Sequence, residues 1–582
     1  MHKIVNPQQT RLFDPFDSIL TVKPRQRLLD GWTGVFRHAI LKLMPVDTIA
    51  GRFDPSMGRP TKELYSMAGL LLIMEFQNWT KQEALDAYRF RMDIHYALNL
   101  EPVAHDISIR TLERYLNHFE EDDLAKTIMS DVTTELVNLL GIKVDEQRLD
   151  STHIFSDMAS FGRTRMMGVT IKRFLTQVKR RNPEDYRAVP EPLRQRYIAS
   201  VHQLFGNTGK DSESRRLLRQ QVAEDMYYLV RHFAELPDYA GINTYKLMER
   251  IFYEQCEVHE DKVGVKARTG GNVTQNPSDP DATYDGHKGP GYQVQIAETC
   301  NPENEVQLIT CAIPQTAAES DGGSVAKVLE NLEGDQLLPD QMLVDTHYTS
   351  DDNVQLAEEK GVELVGPVPS GSSKTKEDEY EQLNIDDFNI DEASEQVVCC
   401  PAGHEPLSSE HDRETGKTKT VMPESVCSRC EYVDQCPVKK TDRGYQIEHT
   451  AKDRRLAGRR RETATEVFTE RYQIRSGIEG TNSGLKRKTG LGQLRVRGRP
   501  AVFHAICLKI TGWNILRASV CAKMRQIVYA KANMALFWFN FAFLKMTTAT
   551  ESVGMGLKSR FLLHFRELEK FAKLRLAALT YF

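Results

Sequence analysis

The chain has 582 residues, 40% hydrophobic and 27% charged, which is ordinary globular composition and length for about three or four domains with sizeable cores. MHKIVNPQQTRLFDPFDS at the N-terminus lacks a basic start followed by an apolar run, and the most apolar segment, MALFWFNFAFL (Met534 to Leu544), is short and interrupted by Asn540. Both argue against secretion and a membrane span, so a soluble, cytoplasmic protein with no membrane partner is expected. The net charge of −5 excludes a uniformly basic coat, yet from Lys452 to Arg499 fourteen Lys or Arg stand against five Asp or Glu, while Lys376 to Glu395 is strongly acidic. A local basic region is the footprint of nucleic-acid binding, although a solvated helix surface is its commoner use.

Residues 25–140 read as helical. Glu63 to Trp79 has sustained apolar content, TKQEALDAYRF carries Thr80 and Glu83 at capping-box spacing, and Leu112, Tyr115, Leu116 and Phe119 recur at helical intervals. A compact helical bundle accounts for this pattern, and a helix-turn-helix-like DNA module is a sharper reading that it permits. KVDEQRLDSTHIF (Lys143 to Phe155) alternates through Val144, Leu149 and Ile154 as a strand does, and residues 163–255 return to helix. From Tyr292 the texture is α/β: GYQVQIAETCN and EVQLITCAIPQ as strands around NPEN, SVAKVLENLEG as a helix, QMLVDTHY as a strand, DNVQLAEEKG as a helix, VELVGPVP as a strand. SGSSKTKEDEYEQ then leaves the unit as a linker. With the inserts set aside, the order βββαβαβα is that of a ribonuclease H-like fold.

Asp150 falls within a predicted strand, in LDST, and Asp345 ends another, in LVDTHY. Aspartate is disfavoured in strands, so it needs a reason there; capping a turn is one and metal ligation is another. Carboxylates from strand ends and a facing helix can hold two Mg2+ ions roughly 3.5–4 Å apart, the arrangement that serves phosphodiester cleavage. A third carboxylate stands in YQIRSGIEGTNSGLK, Tyr472 to Lys486. At about 100° per residue, Tyr472, Arg475, Glu479 and Lys486 share an arc of roughly 60°. Val467, Ile474, Ile478 and Leu485 make an apolar stripe, and Gly477, Gly480 and Gly484 a third face.

The spacing Y-x2-R-x3-E-x6-K resembles the signature of one large branch of DDE transposases from bacterial insertion sequences. DST at Asp150, DPDATYDGHKGPGY from Asp279 to Tyr292 and VDTHY at Asp345 resemble its other blocks, in the same order, and the likeness covers roughly residues 45–515. His347 departs from it, standing where many relatives carry a small residue. The resemblance implies an α/β fold: a ribonuclease H-like catalytic core (mixed five-stranded sheet with helices) interrupted by a helical insert and a cysteine-rich insert, and preceded by an all-helical N-terminal domain. In this sequence the division would be 1–140 helical and DNA-binding, 141–162, 256–370 and 462–515 the three parts of the core, 163–255 the helical insert, 371–461 the acidic linker and cysteine insert, and 516–582 a C-terminal helical region.

Carried over residue by residue, the resemblance implies a catalytic triad of Asp150, Asp345 and Glu479 on two Mg2+ (or Mn2+) ions. Tyr472, Arg475 and Lys486 would face DNA. Beyond them KRKTGLGQLRVRGRP adds Arg487, Lys488, Arg495, Arg497 and Arg499 among glycines, a basic loop able to follow a phosphate backbone. The implied activity is DNA transposition: binding terminal inverted repeats, cleaving at the element ends and transferring a strand into target DNA. A ribonuclease H-like DNA nuclease without strand transfer uses the same triad, and a catalytically retired DNA-binding derivative is the third reading. The implied partner is double-stranded DNA, at element ends and target, with a homodimer in the DNA complex and a nucleoid-associated place in a bacterial cytoplasm.

Ten cysteines in a reducing compartment do not suggest a disulfide framework, yet five crowd into Cys399 to Cys436. VVCCPAGHEP and SVCSRCEYVDQCPVKK offer Cys400, Cys427, Cys430 and Cys436 as a tetrahedral set for structural zinc, with Cys399 or His404 able to replace one member; free thiols are the alternative.

Overall fold

The structure is a computed structural model that describes residues 2–8, 14–155, 162–199, 212–260, 262–368, 383–391 and 393–533. SGSSKTKEDEYEQ and MALFWFNFAFL lie outside the described residues.

The N-terminal helices form as their sequence dictates. In α1 (Leu64–Phe76) every residue but Tyr65 and Glu75 is buried, and Glu63 caps it by accepting from the N–H groups of Tyr65 and Ser66. That near-complete burial makes α1 the axis of the bundle. α2 (Lys81–Phe90) opens with the expected capping box, Thr80 and Glu83 each serving the other's backbone. α3 (Ile109–Glu121) buries Leu112, Tyr115, Leu116 and Phe119 on one face, and α4 (Leu124–Leu140) follows.

β1 (Glu146–Phe155) begins three residues later than the alternation from Lys143 suggests. After it comes the helical insert, α5 (Arg163–Arg181), α6 (Ser212–Ala234) and α7 (Asn243–Gln255) with shorter helices between, closed around a core of its own. The chain returns through β2 (Thr283–Asp285), β3 (Gly289–Thr299), β4 (Ile309–Thr316), α8 (Val325–Gly334), β5 (Gln341–Leu343), α9 (Asp351–Glu359) and β6 (Glu363–Val365).

These strands make one mixed sheet in the order β2-β3-β1-β5-β6, with β4 also paired to β3. β3 is antiparallel to β1 and β4, whereas β5 is parallel to β1 and β6. The sheet has six strands where the sequence suggests five. The addition is β2, which folds back on Gly289–Gly291 through a turn in which Asp285 Oδ1 accepts from the N–H groups of His287 and Lys288, both at 2.7 Å. The register of β3 against β4 shifts between Ala297 and Glu298. Asn514 meets the backbone at that irregularity, accepting from Ile309 N at 2.9 Å and donating to Ile309 O at 2.7 Å.

Asn514 belongs to α13 (Arg499–Ser519), which packs on α4, α1 and β4. It crosses α1 so closely that a Cβ on Gly512 would lie 1.9 Å from Phe76 Cβ. One continuous apolar core therefore runs through the N-terminal helices, the sheet and α13. A further helix covers 522–533.

The cysteine-rich segment is a four-stranded antiparallel sheet, β7 (Ser408–Asp412), β8 (Lys417–Met422), β9 (Lys439–Thr441) and β10 (Gly444–Thr450), in the order β7-β8-β10-β9. It runs into α10 (Ala451–Thr463), α11 (Glu466–Tyr472), a 3-10 turn over Gln473–Ser476 and α12 (Gly477–Thr489).

Candidate active site

The parallel pairing of β1 with β5 sets Arg148 opposite Leu343, so two residues further on Asp150 and Asp345 emerge side by side. Asp150 is still within β1. Asp345 lies beyond its strand rather than at its end: the last ladder bond runs from Val344 N to Val365 O at 2.8 Å, and Asp345 then caps a 3-10 turn by accepting from His347 N at 2.8 Å. Capping and convergence with Asp150 coexist in this residue. Both carboxylates face one guanidinium, Arg475 Nη2, at 3.2 Å from Asp150 Oδ1 and 3.7 Å from Asp345 Oδ2. Asn482 Nδ2 approaches the other oxygen of Asp150 at 3.4 Å. Burial holds the Asp150 carboxyl above the usual carboxylate range; the Arg475 charge and the Ser151 N–H oppose this, and Asp345 and Asp321 reinforce it.

The helix expected over Tyr472 to Lys486 is three segments, and this changes its faces. In the apolar stripe Ile478 and Leu485 are fully buried, but Val467 is 74% and Ile474 37% exposed. The 3-10 turn advances about 120° per residue instead of 100°, which rotates α11 out of register with α12. Phe468 and Tyr472 take the inward positions instead, stacked with centroids 5.4 Å apart and packed beside Cys300, Leu343 and Val365. Tyr472 is thus packed, half-buried, against the sheet cluster, with its hydroxyl within electrostatic reach of Arg475, Asp345 and Asp150.

A buried ion pair fixes α12 to the sheet. Arg148 donates to Glu298 Oε2 from Nε at 2.8 Å and Nη2 at 2.6 Å, and its Nη1 donates to Ile474 O at 2.9 Å. Thr481 Oγ1 completes the set by donating to Glu298 Oε1 at 2.7 Å. Gly477 sits where a Cβ would be 2.1 Å from Arg148 Nη1, and Gly484 where one would be 2.5 Å from the Trp513 ring; Gly480 faces open space. Two of the three glycines therefore serve close approach.

Glu479 is exposed. It precedes Asn482 by three residues and Lys486 by seven, so helical geometry puts it on the flank of α12 that carries Asn482 to Asp150. Burial lowers the Lys486 ammonium pKa, with the charge of Lys288 adding and Asp150 opposing. Lys288 Nζ itself reaches Ser151 Oγ at 3.4 Å, which sets a second lysine beside the strand of Asp150.

Past α12, Phe155 N donates to Gly492 O at 3.0 Å, tying the glycine-rich loop to the end of β1. Arg487, Lys488, Arg495, Arg497 and Arg499 are all exposed on or after α12, with Arg495 3.7 Å from Glu83 and Arg499 over the Phe503 ring. Much of the basic excess further upstream is neutralised internally. Lys452 pairs with Asp352, Arg454 with Glu395, Arg455 with Asp351, Arg461 with Asp386 and Asp387, and Arg471 with Glu363. The 487–499 stretch, by contrast, keeps its five basic side chains exposed, with Arg495 alone among them in an ion pair in the described residues.

Several neighbours escape a reading of the sequence. Asp321 follows β4, acts on Asp150 and accepts from Gln295 Nε2 at 2.8 Å, and the buried Tyr348 hydroxyl donates to Gln295 Oε1 at 2.5 Å. Asn482 had a signal, a polar residue one turn after Glu479; Asp321 and Gln295 had none.

Asp150, Asp345 and Glu479 are hard oxygen donors suited to a divalent cation, and a cationic group already rests between the first two, so the residues fit such an ion in chemistry and charge. Among the described residues no group of three or more His, Cys, Asp or Glu is gathered tightly enough to hold a metal. Cys400, Cys427, Cys430 and Cys436 line one small cavity together with His404. Burial pushes the Cys427 thiol up to about 11, with Cys400, Cys436 and Cys430 adding to it, which is the mutual repulsion of thiolates that a dication relieves. No helix among the described residues is long and apolar enough to cross a membrane.

Comparison with solved structures finds a cryo-EM structure of a piggyBac transposase synaptic complex with hairpin DNA, at 9% identity and a TM-score of 0.28, covering 93% of this chain and 84% of that one. Comparison with curated proteins finds no match. Residues 399–518, which carry the cysteine segment, Arg475, Glu479 and Lys486, match the family model described as the transposase DDE domain.

Proposed function

We propose that the chain is a DDE-type DNA transposase that binds the terminal inverted repeats of its own element, cleaves there and joins a 3′ hydroxyl to target DNA. The observation that carries this reading is the convergence of Asp150 and Asp345, from adjacent parallel strands, on the arginine that leads into the Glu479 helix. The strand order supports it too: with the three-residue β2 set aside, two antiparallel and two parallel neighbours flank one another as in a ribonuclease H-like sheet. Asp150, Asp345 and Glu479 would hold two divalent cations, Mg2+ or Mn2+, and the chemistry such ions supply when bound is activation of the attacking oxygen and stabilisation of the leaving one. Arg475 holds the two aspartates together and offers its remaining N–H groups to a phosphate. Lys486, Lys288 and the exposed arginines of 487–499 orient the duplex across the acids by contacts to its backbone. Two ends must meet for transposition, so the DNA-bound form is a homodimer or larger.

A strand-transfer assay tests this. The full chain is incubated in Mg2+ with a supercoiled target and a labelled duplex copied from the DNA flanking its coding region. Joined products are expected. Cleavage without joining would leave a nuclease, and binding without either would leave a retired DNA-binding derivative.

A further inference from the structure

Among the described residues, Asn482 is the side-chain amide that hydrogen-bonds Asp150. Its Nδ2 donates to Asp150 Oδ2 at 3.4 Å while Arg475 takes Oδ1, so both oxygens of that carboxylate face donors from the same stretch of chain. With the amino end turned to a carboxylate, the direction of the carbonyl end follows, and Asn482 Oδ1 is buried without a hydrogen-bond partner among the described residues. A buried polar atom left unpaired costs stability. An amide that only held Asp150 could have been placed with its oxygen in water. The unpaired atom is a hard, neutral oxygen of the kind divalent cations accept. Its helix position, one turn after Glu479, brings it to the same flank as that carboxylate.

We infer that Asn482 belongs to the cation site: its amino end orients Asp150, and its Oδ1 is a neutral ligand for a divalent ion shared with Asp150 and Glu479, an inference that rests on the metal-dependent reading above. The neutrality matters chemically. A fourth carboxylate would cancel charge that two dications need to attract a phosphodiester, whereas an amide adds a ligand and leaves that charge in place.

The test is Mn2+ binding to the DNA-free full chain by titration calorimetry, with thermal unfolding to verify folding. Asn482→Ala is expected to raise the Mn2+ Kd by about tenfold or more, the scale seen when a metal site loses a supporting group. Asn482→Asp, the same shape with a stronger ligand, should bind Mn2+ as tightly as the parent or tighter. Asp150→Asn is the control for the underlying reading. If Asp150→Asn binds at least tenfold more weakly while Asn482→Ala stays within twofold of the parent, Asn482 is no ligand and the inference falls alone. If Asn482→Ala does not fold, a tenfold loss in Asn482→Asp overturns it instead. An unchanged Kd in Asp150→Asn overturns the cation site itself, and the inference with it.

Discussion

Arg148 shows how one residue can matter to a site it never enters. It sits two residues before Asp150, buried, and spends its donors on Glu298 and on the carbonyl of Ile474, so the strand that carries one acid grips the turn that leads to another. Removing one partner of a buried, hydrogen-bonded ion pair leaves the other charge uncompensated. Arg148→Met is therefore expected to cost about 3–5 kcal/mol in denaturant unfolding, and a loss below about 1 kcal/mol would show that Glu298 finds relief elsewhere. The sequence holds no hint of this pair, since its members are 150 residues apart and meet only because β1 lies beside β3. Asp150 and Asp345 stand out because an aspartate in an apolar strand context is locally odd, and Glu479 because the spacing of Tyr472, Arg475, Glu479 and Lys486 resembles a transposase signature. Asn482 was equally visible in the same window, but nothing in spacing alone distinguishes a ligand from a solvated amide.

At the scale of elements, the order of strands and helices was readable because alternation and helical periodicity are local properties, and the Thr80 cap because its two members are three residues apart. What failed was phase. The 3-10 turn before α12 exposes Val467 and Ile474 and turns Phe468 and Tyr472 inward, and no propensity marks that turn. Charge was legible only in bulk: the basic excess from Lys452 to Arg499 suggests a nucleic-acid footprint, yet Arg454, Arg455 and Arg461 of α10 are engaged by acids from the cysteine segment and α9. Among the described residues the cysteine segment packs around a small apolar cluster of five buried residues, little for a unit of its length, which makes a metal clip physically reasonable. Metal analysis of the purified chain is expected to give about one equivalent of zinc, and Cys427→Ser together with Cys430→Ser should release it; under half an equivalent in the parent chain would leave free thiols.

For the whole molecule, the shared core means that the N-terminal helices, the sheet and α13 should unfold together. Buried His504 and partly buried His38 are two of the histidines that shape how that core responds to acid. Burial lowers His504 to about 4, and burial with Arg37, Arg25 and Lys531 lowers His38 to about 3. Both are neutral when folded, while the unfolded chain takes up protons below about 6.5, so stability is lost as pH falls from there toward the folded values. For His504 the loss reaches about 3 kcal/mol at the acid end of that window. His504→Leu should therefore show a smaller fall in unfolding temperature between pH 7 and pH 4.5 than the parent, and parallel falls would mean that His504 protonates in place. The most direct measurement for the site as a whole is Mg2+-dependent cleavage of an end duplex by Asp150→Asn, Asp345→Asn and Glu479→Gln, with binding of the same duplex measured alongside. Each substitution is expected to abolish cleavage and leave binding intact. Undiminished cleavage by Glu479→Gln would contradict a site built on β1, β5 and α12.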